Sequence, residues 1–260
     1  MKTVAVIVAG RQAASWLEQC IASIAAQHLP RSWKLRILLG VDACPSTMDA
    51  TKRLYTPGLQ VTYFPEHVGP YVIFNSLASC SKSDVLVRFD ADDVMLADYL
   101  RVQLDMIPSG SVPFITQTWS IYVDDKLRPA CSVLANGKTT RPDGRRAAGS
   151  DGQFAMNQAV WERLGSFRAW WCHADSEFLR RAEWAGVKRS VIPRYLYLRR
   201  MHSHSLTKSK ETGYISSWRK HYAQQIAAAV KRYSGGTSPE RVHPAVARHL
   251  GYLPRRMESL

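Results

Sequence analysis

Val85-Leu86-Val87-Arg88-Phe89-Asp90-Ala91-Asp92-Asp93 is a short, mostly apolar run that stops on a cluster of carboxylates. Apolar runs of this length read as buried strands, and in an open α/β sheet ligands bind at the carboxyl ends of the strands. Three carboxylates in four positions (Asp90, Asp92 and Asp93) repel one another and raise one another's pKa unless a counter-charge is at hand. A divalent cation supplies it, and hard oxygen donors suit Mg2+ or Mn2+. Taken alone, the cluster is a weak signal for a metal and reads more readily as an acidic cap on a helix following Asp93, because carboxylates are favoured at helix N-termini.

The segments around this run decide between the two. Thr3 to Ala9 is a continuous apolar run ending at Gly10, as expected of a buried parallel strand. From Ala13 to Gln27 the positions Trp16, Leu17, Cys20, Ile21 and Ile24 recur at helical spacing. Leu35 to Val41 and Leu59 to Phe64 read as further strands, with helices expected over Asp49 to Tyr55 and Val72 to Ser79. This alternation predicts a βαβα parallel sheet, with Asp42 and Asp90 at strand ends. Farther on, Phe114 to Val123 is one or two strands, and residues 136–149 form a polar loop. Helices are expected at Asn157 to Leu164, Ser176 to Trp184 and Tyr214 to Tyr233, with strands near Val191 and at Tyr195 to Leu198. Ser234-Gly235-Gly236-Thr237-Ser238-Pro239 reads as a linker to a basic tail.

The chain has 260 residues, 46% of them hydrophobic, with a net charge of +14. That composition supports a packed core and excludes global disorder. The charge is unevenly placed: from Arg180 to Leu260 there are 17 Lys and Arg against 4 Asp and Glu, so nearly the whole surplus lies in the last third. An anionic partner is one reading, whether nucleotide phosphate, nucleic acid or an anionic membrane face, and a solvated surface is the other. The five cysteines are scattered without a CxxC pair, which points to reduced thiols and a cytoplasmic setting. No apolar run approaches the roughly 18–20 residues of a membrane span, and the N-terminus reads as a strand, not a signal peptide.

In order and spacing the chain resembles family 2 glycosyltransferases, which have the GT-A fold. The likeness rests on the first strand and helix (Val4 to Gln27), the acidic turn after the second strand (Ile37 to Asp42), Gly69 to Ser76, and Val87 to Asp93. It continues through Val160 to Phe167, His173 to Arg181, and the closing stretch Ile192 to Thr207 with Arg199-Arg200-Met201-His202. Departures include Gly10-Arg11-Gln12 where members have an aromatic-Asn pair, Phe74 where an arginine is usual, and Ala174 in place of glutamate.

The resemblance implies a Rossmann-like, mostly parallel sheet flanked by helices over residues 1–207, followed by a basic, mainly helical extension over 208–260. Residues 1–107 would be the nucleotide-binding half and 108–207 the acceptor-binding half. A nucleotide-diphosphate sugar would be the donor, with Asp42, Asn75, Asp90, Asp92, Arg199 and Arg200 contacting it. Asp92, Asp90 and His202 would hold Mn2+ or Mg2+, and Asp175 would be the base of an inverting transfer. Trp170 and Trp171 are candidates for stacking on the acceptor: a glycan, a lipid-linked saccharide, a small molecule or a base in nucleic acid. Two other readings compete: a non-catalytic sugar- or nucleotide-binding protein on the same scaffold, and a nucleotidyltransferase. The latter calls for a Gly/Lys-rich phosphate loop after the first strand, for which Gly10-Arg11 is a poor substitute.

Overall fold

The computed structural model describes residues 1–108, 110–130, 141–147 and 152–244; half of the polar loop expected over 136–149 lies outside them. The first half is built on strands β1 (Lys2–Gly10), β2 (Trp33–Asp42), β3 (Leu59–Phe64) and β4 (Val85–Asp90). They pair in parallel in the order β3-β2-β1-β4. The crossovers carry helices α1 (Leu17–Ala25), α2 (Pro45–Thr51) and α3 (Pro70–Ser81). Side chains alternate across a strand, so the unbroken apolar run of β1 serves two cores. Val4, Val6 and Val8 pack with Leu17, Ile21 and Ile24, while Ala5 and Ile7 pack on the other face with Ile73, Phe74 and Leu77. Gly40 lets α3 approach closely: a Cβ there would lie 2.3 Å from Ile73 Cγ2.

The second half adds β5 (Val94–Met95), α4 (Tyr99–Met106), β6 (Phe114–Val123), β7 (Arg145–Arg146), β8 (Phe154–Asn157), α5 (Gln158–Leu164), α6 (Ala174–Trp184), β9 (Lys188–Arg200) and α7 (Ser217–Ser234). β8 joins β4 antiparallel, and the sheet then continues β6-β9-β5, with β7 on β6. Several elements differ from the sequence reading. α2 starts at Pro45, because proline fits the first helical turn and stops the helix from waiting until Asp49. The two short strands expected near Val191 and Tyr195 are one strand, β9. Its register against β6 jumps from Thr118↔Ile192 to Trp119↔Tyr195, so Pro193 and Arg194 fall in a bulge where no ladder N–H is required. Asp93 is followed by β5 instead of a helix, so it caps nothing.

α6 is bolted down by a buried cation. Arg181 is 0% exposed and donates to both oxygens of Glu177 (2.9 and 3.1 Å), to Leu164 O at 2.5 Å and to Ser166 O at 2.8 Å. α7 lies against α6 through Trp184 and Tyr233, 6.2 Å between ring centroids. The start of the basic tail, just after the expected linker, runs back to the domain. Val242 N donates to Leu164 O at 2.9 Å, Ser166 N donates to Val242 O at 3.0 Å, and Glu240 pairs with Arg168.

Candidate active site

The carboxyl ends of β1, β2 and β4, the start of α6 and the segment after β9 enclose a cavity of about 840 Å³. Asp42 closes β2. Its carboxylate accepts from Val68 N (2.8 Å), Gly69 N (3.1 Å) and His67 Nδ1 (2.7 Å), so it organises the 67–69 turn as well as lining the cavity. His67 stands nearly half-exposed beside it, 5.0 Å from the Trp171 ring centroid to centroid.

The acidic run divides into distinct roles. Asp90 is paired with Arg88 at 2.9 Å and accepts from Gln153 Nε2 at 2.7 Å. Asp92 Oδ2 lies 2.7 Å from His202 Nε2, and the His202 ring packs on Trp16 with centroids 3.9 Å apart. Asp93 is buried, accepts from Arg200 N at 2.8 Å and shares Gln153 Nε2 with Asp90. Burial pushes the Asp90 carboxyl up, Arg88 pulls it down, and Asp92 pushes it up again, leaving it raised. Burial, then Asp92 and Asp90, drive Asp93 well above the usual range. Burial and mutual repulsion, only partly offset by Arg88 and Arg199, thus disfavour full ionisation of the cluster.

Asp175 sits in the first turn of α6, which His173 enters at φ +70. Its carboxylate lies in the cavity wall and accepts from Ser176 N at 2.8 Å, and Tyr71 lines the same wall. Burial and then the Asp175 charge hold the Tyr71 phenol well above its ordinary range, so it stays protonated. Arg88 connects the two acidic centres. It pairs with Asp90, lies 5.4 Å from the Tyr71 ring centroid, and donates to Gly152 O.

Other expected residues fall differently. Asn75 is turned away from the cavity: it is fully buried, its amide gives to Phe167 O at 2.9 Å and takes from Phe167 N at 3.0 Å. It therefore joins α3 to the 166–167 turn. Trp170 also leaves the cavity and stacks on Tyr222 of α7, 4.4 Å apart with planes at 9°, whereas Trp171 lines it. Arg200 reaches the wall with its guanidinium already engaged by Gln19, Asp92 O and Asp125 O. Arg199 donates to the Tyr122 hydroxyl at 3.0 Å. Tyr71, Gln153 and His67 were not singled out from sequence. Arg88, a cation inside an apolar strand, carried a usable signal.

Among the described residues no three His, Cys, Asp or Glu side chains form an all-protein metal cage. The adjacent oxygen and nitrogen donors of Asp92 and His202, with Asp90 beside them, do fit an ion of the Mg2+ or Mn2+ kind. Such ions are held by one or two protein groups and complete their shell with water and substrate phosphate.

A family model described as glycosyl transferase family 2 matches residues 3–165, more than half of the chain. The chain belongs to glycosyl transferase family 2. No curated protein sequence matches it. Its fold is that of GT-A glycosyltransferases of known structure. S. aureus TarS 1-349 in complex with UDP-GlcNAc aligns with a TM-score of 0.66 at 15% identity, covering 93% of this chain and 68% of that one. TarS 1-349 in complex with UDP gives a TM-score of 0.59 at 16% identity, covering 91% and 73%. The mannosyltransferase PcManGT from Pyrobaculum calidifontis, in complex with GDP-Man and Mn2+, gives 0.65 at 18% identity, covering 91% and 65%. The chain thus spans about two thirds to three quarters of these structures. As a family 2 member it is a glycosyltransferase enzyme. The match ends before Asp175, His202 and α7, so those parts are read from geometry alone.

Proposed function

We propose that this enzyme moves a sugar from a nucleotide-diphosphate sugar to an acceptor hydroxyl by a metal-dependent, inverting displacement. The supporting observation is that Asp92–His202 and Asp175–Tyr71 wall one cavity at the strand ends, joined by Arg88. The nucleotide sugars and Mn2+ in the complexes of TarS and PcManGT agree with it. Asp92 and His202 would hold the ion, with Asp90 beside them. When bound, the ion supplies positive charge to the diphosphate as it leaves.

The chain's own groups do the rest. The Asp175 carboxylate takes the proton from the acceptor hydroxyl as that oxygen bonds to the anomeric carbon. The bond from that carbon to the diphosphate breaks, its electron pair leaving with the nucleoside diphosphate. Tyr71, kept protonated by burial and by the Asp175 charge, lines the cavity with Asp175, and a base so placed needs reach more than an unusual pKa. Arg199 provides a cation near the diphosphate, and Arg200 holds Asp92 and Asp93 in register. Asp42 sets the turn that faces the nucleoside. Cys20, Cys44, Cys80 and Cys172 are free thiols, which agrees with a cytoplasmic setting.

A thermal-shift panel of UDP, GDP, ADP, CDP and dTDP with and without Mn2+ tests the donor site. A stabilisation that requires Mn2+ is expected for at least one nucleotide, and Asp92→Ala should abolish the metal-dependent part. No shift with any nucleotide, or an unchanged shift in Asp92→Ala, would overturn the assignment.

A further inference from the structure

Large apolar side chains gather in water beside the cavity, on one short stretch outside the family match. Leu206 is 47% exposed, Ile215 85% and Trp218 46%. The stretch is knitted by its own hydrogen bonds. Thr212 Oγ1 donates to Leu206 O at 2.8 Å, Tyr214 N to Thr207 O at 3.2 Å, and Gly213 N to Ser209 O at 2.9 Å. These bonds fold residues 205–216 into a knob, and Leu206, Tyr214 and Trp218 all line the cavity, so the knob forms part of its mouth.

The base of the knob is fixed. Arg219 Nε donates to Thr212 O at 2.8 Å, and its guanidinium lies 5.2 Å from the Tyr214 ring centroid. Trp218 extends the Trp170–Tyr222 stack, with centroids 5.6 Å apart and planes at 22° to Tyr222. The charge on the stretch is one-sided. Over residues 201–220 Lys208, Lys210, Arg219 and Lys220 face a single acid, Glu211, and the three lysines are exposed.

Exposed aliphatic and indole side chains on a stretch that also exposes three lysines match the chemistry of a bilayer interface. The apolar groups enter the boundary of the acyl chains, while lysine stems lie along them and keep the ammonium groups at anionic headgroups. Single-stranded nucleic acid would use flat rings for stacking. The most exposed residue here is aliphatic Ile215, which favours lipid.

We propose that the knob at residues 205–216, with the first turn of α7, docks the enzyme on an anionic bilayer, with the mouth of the cavity toward the headgroups, so that the acceptor is a membrane-held hydroxyl compound. The acceptor part rests on the sugar-transfer reading above; the docking does not.

The test is flotation of the full chain with vesicles of phosphatidylcholine, alone or mixed with phosphatidylglycerol, at low and high salt. Binding should require the anionic lipid and weaken with salt. Lys208→Glu with Lys210→Glu should reduce it by about tenfold or more. Ile215→Asp should reduce it by a similar factor, about tenfold, through loss of buried apolar surface. Ile215 is almost fully solvated, so its replacement leaves the fold intact, and an unchanged nucleotide-induced thermal shift checks this. Failure to float with anionic vesicles at low salt, or equal flotation of Ile215→Asp, would overturn the proposal. So would retention on duplex DNA in place of vesicles. Nucleotide binding without flotation removes the docking alone, whereas flotation without nucleotide binding removes the sugar-transfer reading and leaves the docking.

Discussion

Replacing Arg181 by Met should be among the most damaging single substitutions in this protein. The guanidinium is 0% exposed and holds the Glu177 carboxylate together with the carbonyls of Leu164 and Ser166. Removing one partner of a buried pair leaves an uncompensated charge, at a cost of about 3–5 kcal/mol. Glu177 would retain only Arg168 Nε, at 3.3 Å and on the solvent side. Against a total stability on the order of 5–15 kcal/mol, that is a large fraction. Glu177→Leu strands the cation instead and should cost a comparable amount. The double variant removes both charges and leaves one carbonyl, Ser166 O, without a donor, since Val242 N still bonds Leu164 O, at a cost of about 2 kcal/mol. It should therefore lose only about 2 kcal/mol, so the two single effects are strongly non-additive. Urea unfolding followed by circular dichroism measures all three as shifts in midpoint at constant slope. If the single losses simply add in the double variant, the pair does not act as a unit and the reasoning is wrong.

Asp175→Asn should leave the nucleotide-induced thermal shift intact while lowering kcat by about 10²- to 10⁴-fold, the usual contribution of a general base; undiminished release of nucleoside diphosphate in the presence of acceptor would remove Asp175 from that role. Burial pushes the Cys44 thiol up, but hydrogen bonds from Ser46, Thr47 and the Gln12 N–H outweigh it and bring it down to about 7. A folded value below the unfolded one, about 8.5, contributes stability that is complete above the unfolded value and is lost as pH falls through about 7. The advantage of wild type over Cys44→Ser in thermal melts should therefore grow from pH 7 to 9, and a pH-independent difference would contradict it. Gly165→Ala should cost about 1–3 kcal/mol from backbone strain alone, since φ is +73 there, plus the contacts of Val242, whose O would lie 1.9 Å from the new Cβ. A melting temperature within a degree or so of wild type would count against this.

The parallel half of the sheet was readable because the centres of β1, β2 and β4 are buried on both faces and appear as largely apolar runs, β2 and β4 ending on carboxylates. The carboxylates at their ends follow directly. Asn75 was misleading because sequence order places it near the donor, whereas the helical face it occupies is set by packing against Phe167. Asp93 looked like a cap because nothing local announces that a two-residue strand follows, paired with Tyr197 and Leu198 far along the chain. Gln153, which bridges Asp90 and Asp93, lies 63 and 60 positions away from them, and no periodicity reports such a contact. Pro193 divided β9 in the reading because a bulge can be recognised only once the partner strand is known. The site's carboxylates were thus legible, and the groups that hold them in place were not.

The return of Val242 to the α5–α6 junction has a consequence for synthesis. Ser166 waits 76 positions for the carbonyl that accepts its N–H. As the chain leaves the ribosome, the turn that carries Gly165, and with it the platform beneath Asp175, remains an open seam until the stretch after α7 emerges. At that stage a nascent chain holds a finished parallel sheet beside an unfinished second half. The surroundings of Asp175 are therefore completed only after Val242 has emerged.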